Sequence, residues 1–176
     1  MLRLHSTLLQ QAVMSLRTGG RVATTESFII NPNNLKIEGF YCQDNFSKDR
    51  LILLTQDVRD TLEQGLVVND HDVLSHPDDL VRLQQILQLN FELLNKPVCT
   101  SDKRRLGKVS DFAIESKSMY IQKLYVGQSI LKSFNGGQLS VDRTQIIEIT
   151  SKRVVINDPL QLKPASGLRA PIPTTS

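Results

Sequence analysis

The chain has no tryptophan, only two cysteines, and an aromatic fraction of 5%. With so few rings, the interior should be mainly aliphatic, built from Leu, Ile and Val. Cys42 and Cys99 stand at unrelated points of the chain. Nothing in the sequence marks secretion, so they read as two reduced, buried thiols rather than a disulfide framework. No apolar run approaches the roughly 20 residues that span a bilayer. Ser, Thr and Gln interrupt the stretch after Arg3, which leaves no signal-peptide core. A soluble, cytoplasmic protein is the expectation. A P-loop and a dinucleotide fingerprint are also missing. No nucleophile stands beside a base and an orienting third group, and His5 reads as part of a frayed start. The sequence therefore points away from an enzyme: no catalytic residue and no cofactor is assigned.

What is present is a phrase written twice. Val67–Asp70 reads V-V-N-D and Val155–Asp158 reads V-I-N-D. Three further blocks recur in the same order. Leu8–Val13 (LLQQAV) matches Leu93–Val98 (LLNKPV), and Gly19–Val22 (GGRV) matches Leu106–Val109 (LGKV). Ile37–Cys42 (IEGFYC) matches Ile121–Val126 (IQKLYV), which sets Tyr41 over Tyr125. The offsets are 85, 87, 84 and 88. Four blocks at nearly constant spacing argue for a duplicated module.

Each module reads as short strands. Val109, Phe112 and Ile114 precede a polar turn; Ile121, Leu124 and Val126 alternate with polar neighbours; Leu139 and Val141, Ile147 and Ile149, and Val154–Ile156 follow. Strands spaced about 8–12 residues apart predict a small barrel or sandwich. Phe134–Gln138, with its paired glycines, reads as a hairpin turn, and the Asn-Pro-Asn-Asn run at 31–34 as its equivalent in the first copy. Between the copies, Leu80, Leu83, Ile86, Leu87 and Phe91 have helical spacing, with Pro77, Asp78 and Asp79 suited to a first turn. The fold class expected is mainly β: two small barrels in tandem, joined by an amphipathic α-helix of about four turns, with a flexible C-terminal tail. The first module covers residues 1–75, the connecting helix 76–92, the second module 93–163 and the mobile tail 164–176.

The order of blocks resembles the PRC-barrel family. Its small β-barrel forms the cytoplasmic domain of the photosynthetic reaction-centre H subunit and the C-terminal domain of the ribosome maturation factor RimM. The residues that carry the resemblance are Pro97–Val98, Leu106–Glu115 (LGKVSDFAIE), Ile121–Val126 and Gln145–Asp158 (QIIEITSKRVVIND). The first copy fits more loosely, with Thr24 or Thr25 read where Asp111 stands in the second. Residues 1–40 contain nothing like the Gly-rich opening of the other RimM domain, so two tandem PRC-like modules account better for the repeat. The resemblance implies PRC-type barrels, no chemistry, and docking of protein partners in RNA processing, ribosome assembly or photosynthetic complexes.

Charge divides the chain. Residues 1–95 hold 8 Lys+Arg against 12 Asp+Glu, whereas residues 96–176 hold 13 against 6. Halves of opposite sign meet different partners, or each other. Lys103, Arg104, Arg105 and Lys108 lie at a predicted turn and form a candidate basic binding patch. Such a patch would grip phosphates without reading sequence, since no aromatics interleave to stack on bases.

Asp70, His71, Asp72, His76, Asp78 and Asp79 form the densest polar cluster. Imidazole and carboxylate together can bind a divalent metal, but a strand end, a turn and a helix cap favour the same residues. The second copy has Pro159, Leu160 and Gln161 where His71, Asp72 and Val73 stand. No metal site is assigned. Tyr41 and Tyr125 read as strand tyrosines with packed rings. The function expected is protein docking by a non-enzymatic PRC-barrel adaptor. The alternative is an RNA- or ribosome-associated factor that uses the basic second module. Homo-oligomerisation is left open.

Overall fold

The computed structural model describes residues 1–127 and 138–158. Residues 134–137 of the expected Phe134–Gln138 turn, Pro159–Gln161 and the 164–176 tail of the sequence reading lie outside them. The described chain is mainly β, folded as two mixed sheets.

The strands in chain order are β1 (Leu2–Leu4), followed by the one-turn helix α1 (His5–Leu8), then β2 (Ala12–Ser15), β3 (Arg21–Asn31), β4 (Lys36–Asp44), β5 (Arg50–Leu54), β6 (Val58–Leu62), β7 (Gly65–Val68) and β8 (Leu74–Ser75). They continue with β9 (Pro97–Thr100), β10 (Arg105–Glu115), β11 (Ile121–Gly127), β12 (Leu139–Asp142), β13 (Ile146–Ile149) and β14 (Val154–Ile156). The first sheet runs β6-β7-β2-β3-β4-β5-β8; the second runs β12-β11-β10-β9-β14-β13 with β1 added on β10. In both, the two modules pair their opening and closing strands in parallel: β2 with β7, and β9 with β14.

Strand register makes the duplication structural. Thr25 faces Cys42 and Val109 faces Val126; Phe28 faces Phe40 and Phe112 faces Leu124; Ile30 faces Ile37 and Ile114 faces Ile121. The bulges between Thr25 and Ser27 and between Ile29 and Ile30 recur between Val109 and Asp111 and between Ala113 and Ile114. The long strand thus repeats at an offset of 84, not the 87 given by Gly19–Val22 and Leu106–Val109. Ser27, not Thr24 or Thr25, occupies the place of Asp111. Likewise the Asn31–Lys36 turn answers to Glu115–Tyr120, with Leu35 (φ 56°) and Met119 (φ 58°) left-handed at the same point. Glycine spelling misled the alignment here; inward-facing apolar positions set the register.

Neither sheet closes into a barrel among the described residues. Each is strongly curled, however. A three-residue turn, Thr55–Asp57 or Arg143–Gln145, joins β5 to β6 and β12 to β13. Four strands lie between each pair in the sheet order. A flat sheet would put them about 24 Å apart, whereas such a turn spans about 14 Å at most.

The predicted four-turn connecting helix does not form. Residues 77–83 make two 3-10 turns, separated at Leu80 (φ −93°, ψ 67°), and α2 covers only Gln84–Leu89. Asn90 turns left-handed (φ 42°) and ends it. The apolar spacing is still used: Leu80, Leu83, Ile86 and Leu87 pack on Ile29, Tyr41, Ile52 and Leu54 of the first sheet's outer face. Phe91 joins the main core instead.

The modules are not beads on a linker. One core runs through both, from Leu8, Val13, Ile37 and Phe40 to Phe112, Ile121, Leu124 and Ile156. Ile37 N–H donates to Met119 C=O (2.8 Å) and Ile121 N–H donates to Leu35 C=O (2.9 Å). These two bonds exchange under the repeat offset, as do Phe28 and Phe112, whose rings meet edge-on at 5.9 Å. The contact is therefore pseudo-two-fold, an isologous interface within one chain. The segment ahead of each module packs on the other module. Residues 2–4, assigned by sequence to the first module, pair with Ala113–Glu115 of the second, while α2 lies against β3 of the first.

Candidate functional site

The predicted basic patch does not stay together. Lys103 and Arg105 are exposed at the β9–β10 turn. Arg104 turns inward, and its Nη2 donates to Asp158 Oδ1. Its partner in the first module is Arg17, whose Nη1 donates to Asp70 Oδ2 at 3.1 Å. Arg104 is thus part of how a module closes. Lys108 lies toward the far end of β9, where it pairs with Pro97.

That end carries other cations. Val154 pairs with Val98, so Arg153 flanks Pro97 on the side opposite Lys108. The two backbones on either side of Pro97 lie about 10 Å apart. Their side chains leave the outer face, since Val98, Val109 and Val154 fill the core. Lys152 precedes Arg153. Lys96 precedes Pro97, and its Nζ donates to Ser151 C=O (2.6 Å) and sits 4.7 Å over the Phe91 ring. Burial lowers the Lys96 ammonium from its ordinary pKa, against the pull of Glu92. Below this end lies a cleft of about 420 Å³, where the apolar Leu89, Phe91, Leu94 and Pro97 meet a polar side that holds Glu92 as well as Lys96 and Lys152. Lys108, Lys152 and Arg153 take part in none of the ion pairs among the described residues.

The Asp/His cluster is a set of turns. Asp70 accepts from Ser15 Oγ (2.9 Å), Arg17 and the His71 amide (2.8 Å). The His71 amide, the Ser15 hydroxyl and Arg17 hold its carboxyl below the usual range. His71 Nε2–H donates to Asp44 Oδ1 at 2.7 Å. Burial works to raise the Asp44 carboxyl, but the Ser47 hydroxyl and amide, His71 and the Phe46 amide outweigh it and hold it well below the carboxylate range. Phe46, 69% exposed, stands edge-on to His71 at 5.0 Å. Asp72, His76, Asp78 and Asp79 do not join that pair: among the described residues no three His, Cys, Asp or Glu side chains converge as metal ligands.

Tyr41 and Tyr125 do occupy matched places on β4 and β11. Tyr41 is covered by the Arg50 guanidinium (3.9 Å) and by the connector. A larger cleft of about 670 Å³ opens under the connector; on its sheet side Glu38 is already met by Lys36 (3.5 Å) and Asn31 (3.1 Å), and on its connector side stand Asp79 and Arg82. Cys42 and Cys99 are free thiols, and burial pushes Cys42 up to about 12.

Sequence reading missed His5. It is buried between the Phe28 (4.8 Å) and Phe112 (4.6 Å) rings, with Asp111 at 3.8 Å from Nδ1. Only the pairing of β1 with β10 places it there. Asp44 and Lys96 were missed too: Asp44 belongs to no motif, and Lys96 sits in the Leu93–Val98 block, which was read only as part of the repeat. No membrane-length apolar helix occurs among the described residues. No family model matches the chain, and no curated protein matches it.

Proposed function

We propose that the chain is a non-enzymatic, cytoplasmic docking protein built from two PRC-barrel-like modules. The curled sheets support the barrel reading, because each three-residue turn draws β5 to β6, and β12 to β13, toward closure. The observation that carries the docking reading is where the two modules differ. They keep the same interior positions, bulges, turns and closing Asp–Arg pair, yet their outer surfaces diverge in charge and covering. A buried plan held in common with surfaces that vary is how a fold presents different contact sites. The pseudo-two-fold core holds the two surfaces in a fixed relation, so a partner of the second module meets a rigid support.

A second reading, an RNA- or ribosome-associated factor, draws on Lys108, Lys152 and Arg153 of the second sheet, which make no ion pair among the described residues. The test is a mild pull-down with the tagged full chain, repeated with RNase and at raised salt. Docking predicts a protein partner that survives RNase. Loss of every partner on both treatments refutes it in favour of the RNA reading.

A further inference from the structure

We propose that the outer face of β14–β9–β10 and the cleft at its end bind an acidic segment of a partner protein, with one large apolar side chain seated in the cleft. The inference rests on the docking reading above and names its surface and the chemistry of its partner.

The first module serves as an internal control. The repeat offsets set Lys96 over Gln11, Lys108 over Thr24, Lys152 over Gln64 and Arg153 over Gly65. The fold of a module therefore does not need a cation at any of these four positions, yet the second module has one at each. Gathering like charges at one end of a sheet costs self-repulsion, which an acidic partner would relieve beyond what solvent screening and Glu92 already do. Arg105 does not discriminate, because Arg21 occupies its place in the first module.

The cleft decides what kind of anion fits. Leu89 is 53% exposed beside Phe91, Leu94 and Pro97. At about 420 Å³ it lies in the range of clefts that enclose a ligand group. An apolar side chain would cover that wall while flanking carboxylates meet the cations, the usual division between anchor and rim. Lys96 is held in advance by Ser151 and Phe91, which lowers the ordering cost of binding. A nucleic-acid strand suits the site less well. The one ring there is capped by Lys96, so no open aromatic face receives a base. A second copy, offering the exposed Asp78, Asp79 and Val81 of its connector, is the other competitor.

The test uses the full chain and four labelled probes in fluorescence anisotropy. These are a peptide of alternating Asp and Gly with one central Leu, the same peptide with Ala for Leu, the same with Asn for Asp, and an oligouridine of equal charge. The site variant carries Lys96→Gln, Lys108→Thr, Lys152→Gln and Arg153→Gln. Three of these write in the first module's own residues, so folding is kept, and thermal unfolding checks it. A control variant carries Lys48→Gln, Arg82→Gln, Lys103→Gln and Lys117→Gln. Both lower the formal net charge of +3 by the same amount.

The Asp/Leu peptide should bind best, and the site variant should weaken it about tenfold or more, as the loss of four rim contacts together implies. The control variant should leave it nearly unchanged. Equal weakening in both variants, equal binding of the Ala peptide, or tighter binding of oligouridine each overturns the proposal. So does self-association in sedimentation that the site variant abolishes. If no acidic peptide binds, yet the site variant still pulls down the RNase-resistant partner of the natural chain, this surface is wrong and the docking reading stands. If only RNA-dependent material is recovered, the docking reading itself falls.

Discussion

The shared core predicts that a cavity made in one module unfolds both. Phe112 is 1% exposed, lies opposite Leu124 on β11, and meets His5 and Phe28 of the first half at 4.6 and 5.9 Å. Phe112→Ala removes a ring from a closely packed site and should cost about 3–5 kcal/mol. For a chain of this size a loss of 1 kcal/mol lowers Tm by about 2–4 °C, so the shift should be roughly 6–20 °C. The informative readout is hydrogen exchange, because the chain has no tryptophan to report on one half alone. The slowest amides of β3 and β4 in the first module should lose as much protection as those of β10 and β11 in the second. The reason is mechanical: the Ile37–Met119 and Ile121–Leu35 bonds and the Phe28–Phe112 contact leave neither module a core of its own. Val81→Ala is the control. Val81 is 78% exposed and should change stability by less than about 0.5 kcal/mol. If first-module protection survives while second-module protection falls, or if unfolding splits into two transitions, the single-core reasoning is refuted.

His5 should make stability depend on pH. Burial lowers its pKa in the fold, outweighing the opposite pull of Asp111, so the folded state favours the neutral ring. Its contribution is complete above the unfolded value of about 6.5 and is lost as pH falls toward the lowered folded value; His5→Gln should flatten Tm against pH below about 6.5. Within the sequence-level basic patch, Arg104→Ala should cost about 1 kcal/mol, because it strips the guanidinium from Asp158. Lys103→Ala and Arg105→Ala, at exposed positions, should leave Tm nearly unchanged, and equal losses at all three would refute the division of that patch.

The duplicated β architecture was legible because apolar positions in strands must face inward, and that pattern survives change elsewhere. The V-V-N-D phrase recurs at matched places in the two sheets: Asp70 and Asp158, each just past β7 or β14, take an arginine. What misled was local spelling read without tertiary context. Glycines in Gly19–Val22 and Leu106–Val109 look alike but lie three residues out of register. The leucine spacing of 80–91 predicted a long helix, yet a stripe of that kind needs only a surface to cover, and two 3-10 turns and a short helix cover it. The adjacency of Lys96, Lys108, Lys152 and Arg153 was beyond reach, because three strands from distant parts of the chain meet there. The consecutive run Lys103–Arg105 drew attention instead, although its middle member is structural.

The pseudo-two-fold axis also gives the divergence of the modules a direction. In a symmetric pair of identical chains, any change that suits one outer face to a partner is imposed on the other as well. A tandem chain escapes that constraint while retaining the same interface. Here the interface pairs are held in common: Leu35 with Met119, Ile37 with Ile121, and Phe28 with Phe112. The faces away from it have moved apart. The first is covered by the connector, through Leu80, Leu83, Ile86 and Leu87. The second carries β1 along Ala113–Glu115, and among the described residues Lys108, Lys152 and Arg153 stand exposed on its β14–β9–β10 side. Under the docking proposal, the first module is the support that lends the second its core, and the second is the face that meets the partner. On that division, substitutions on the open face should alter binding with little effect on stability, and substitutions at the axis should do the reverse.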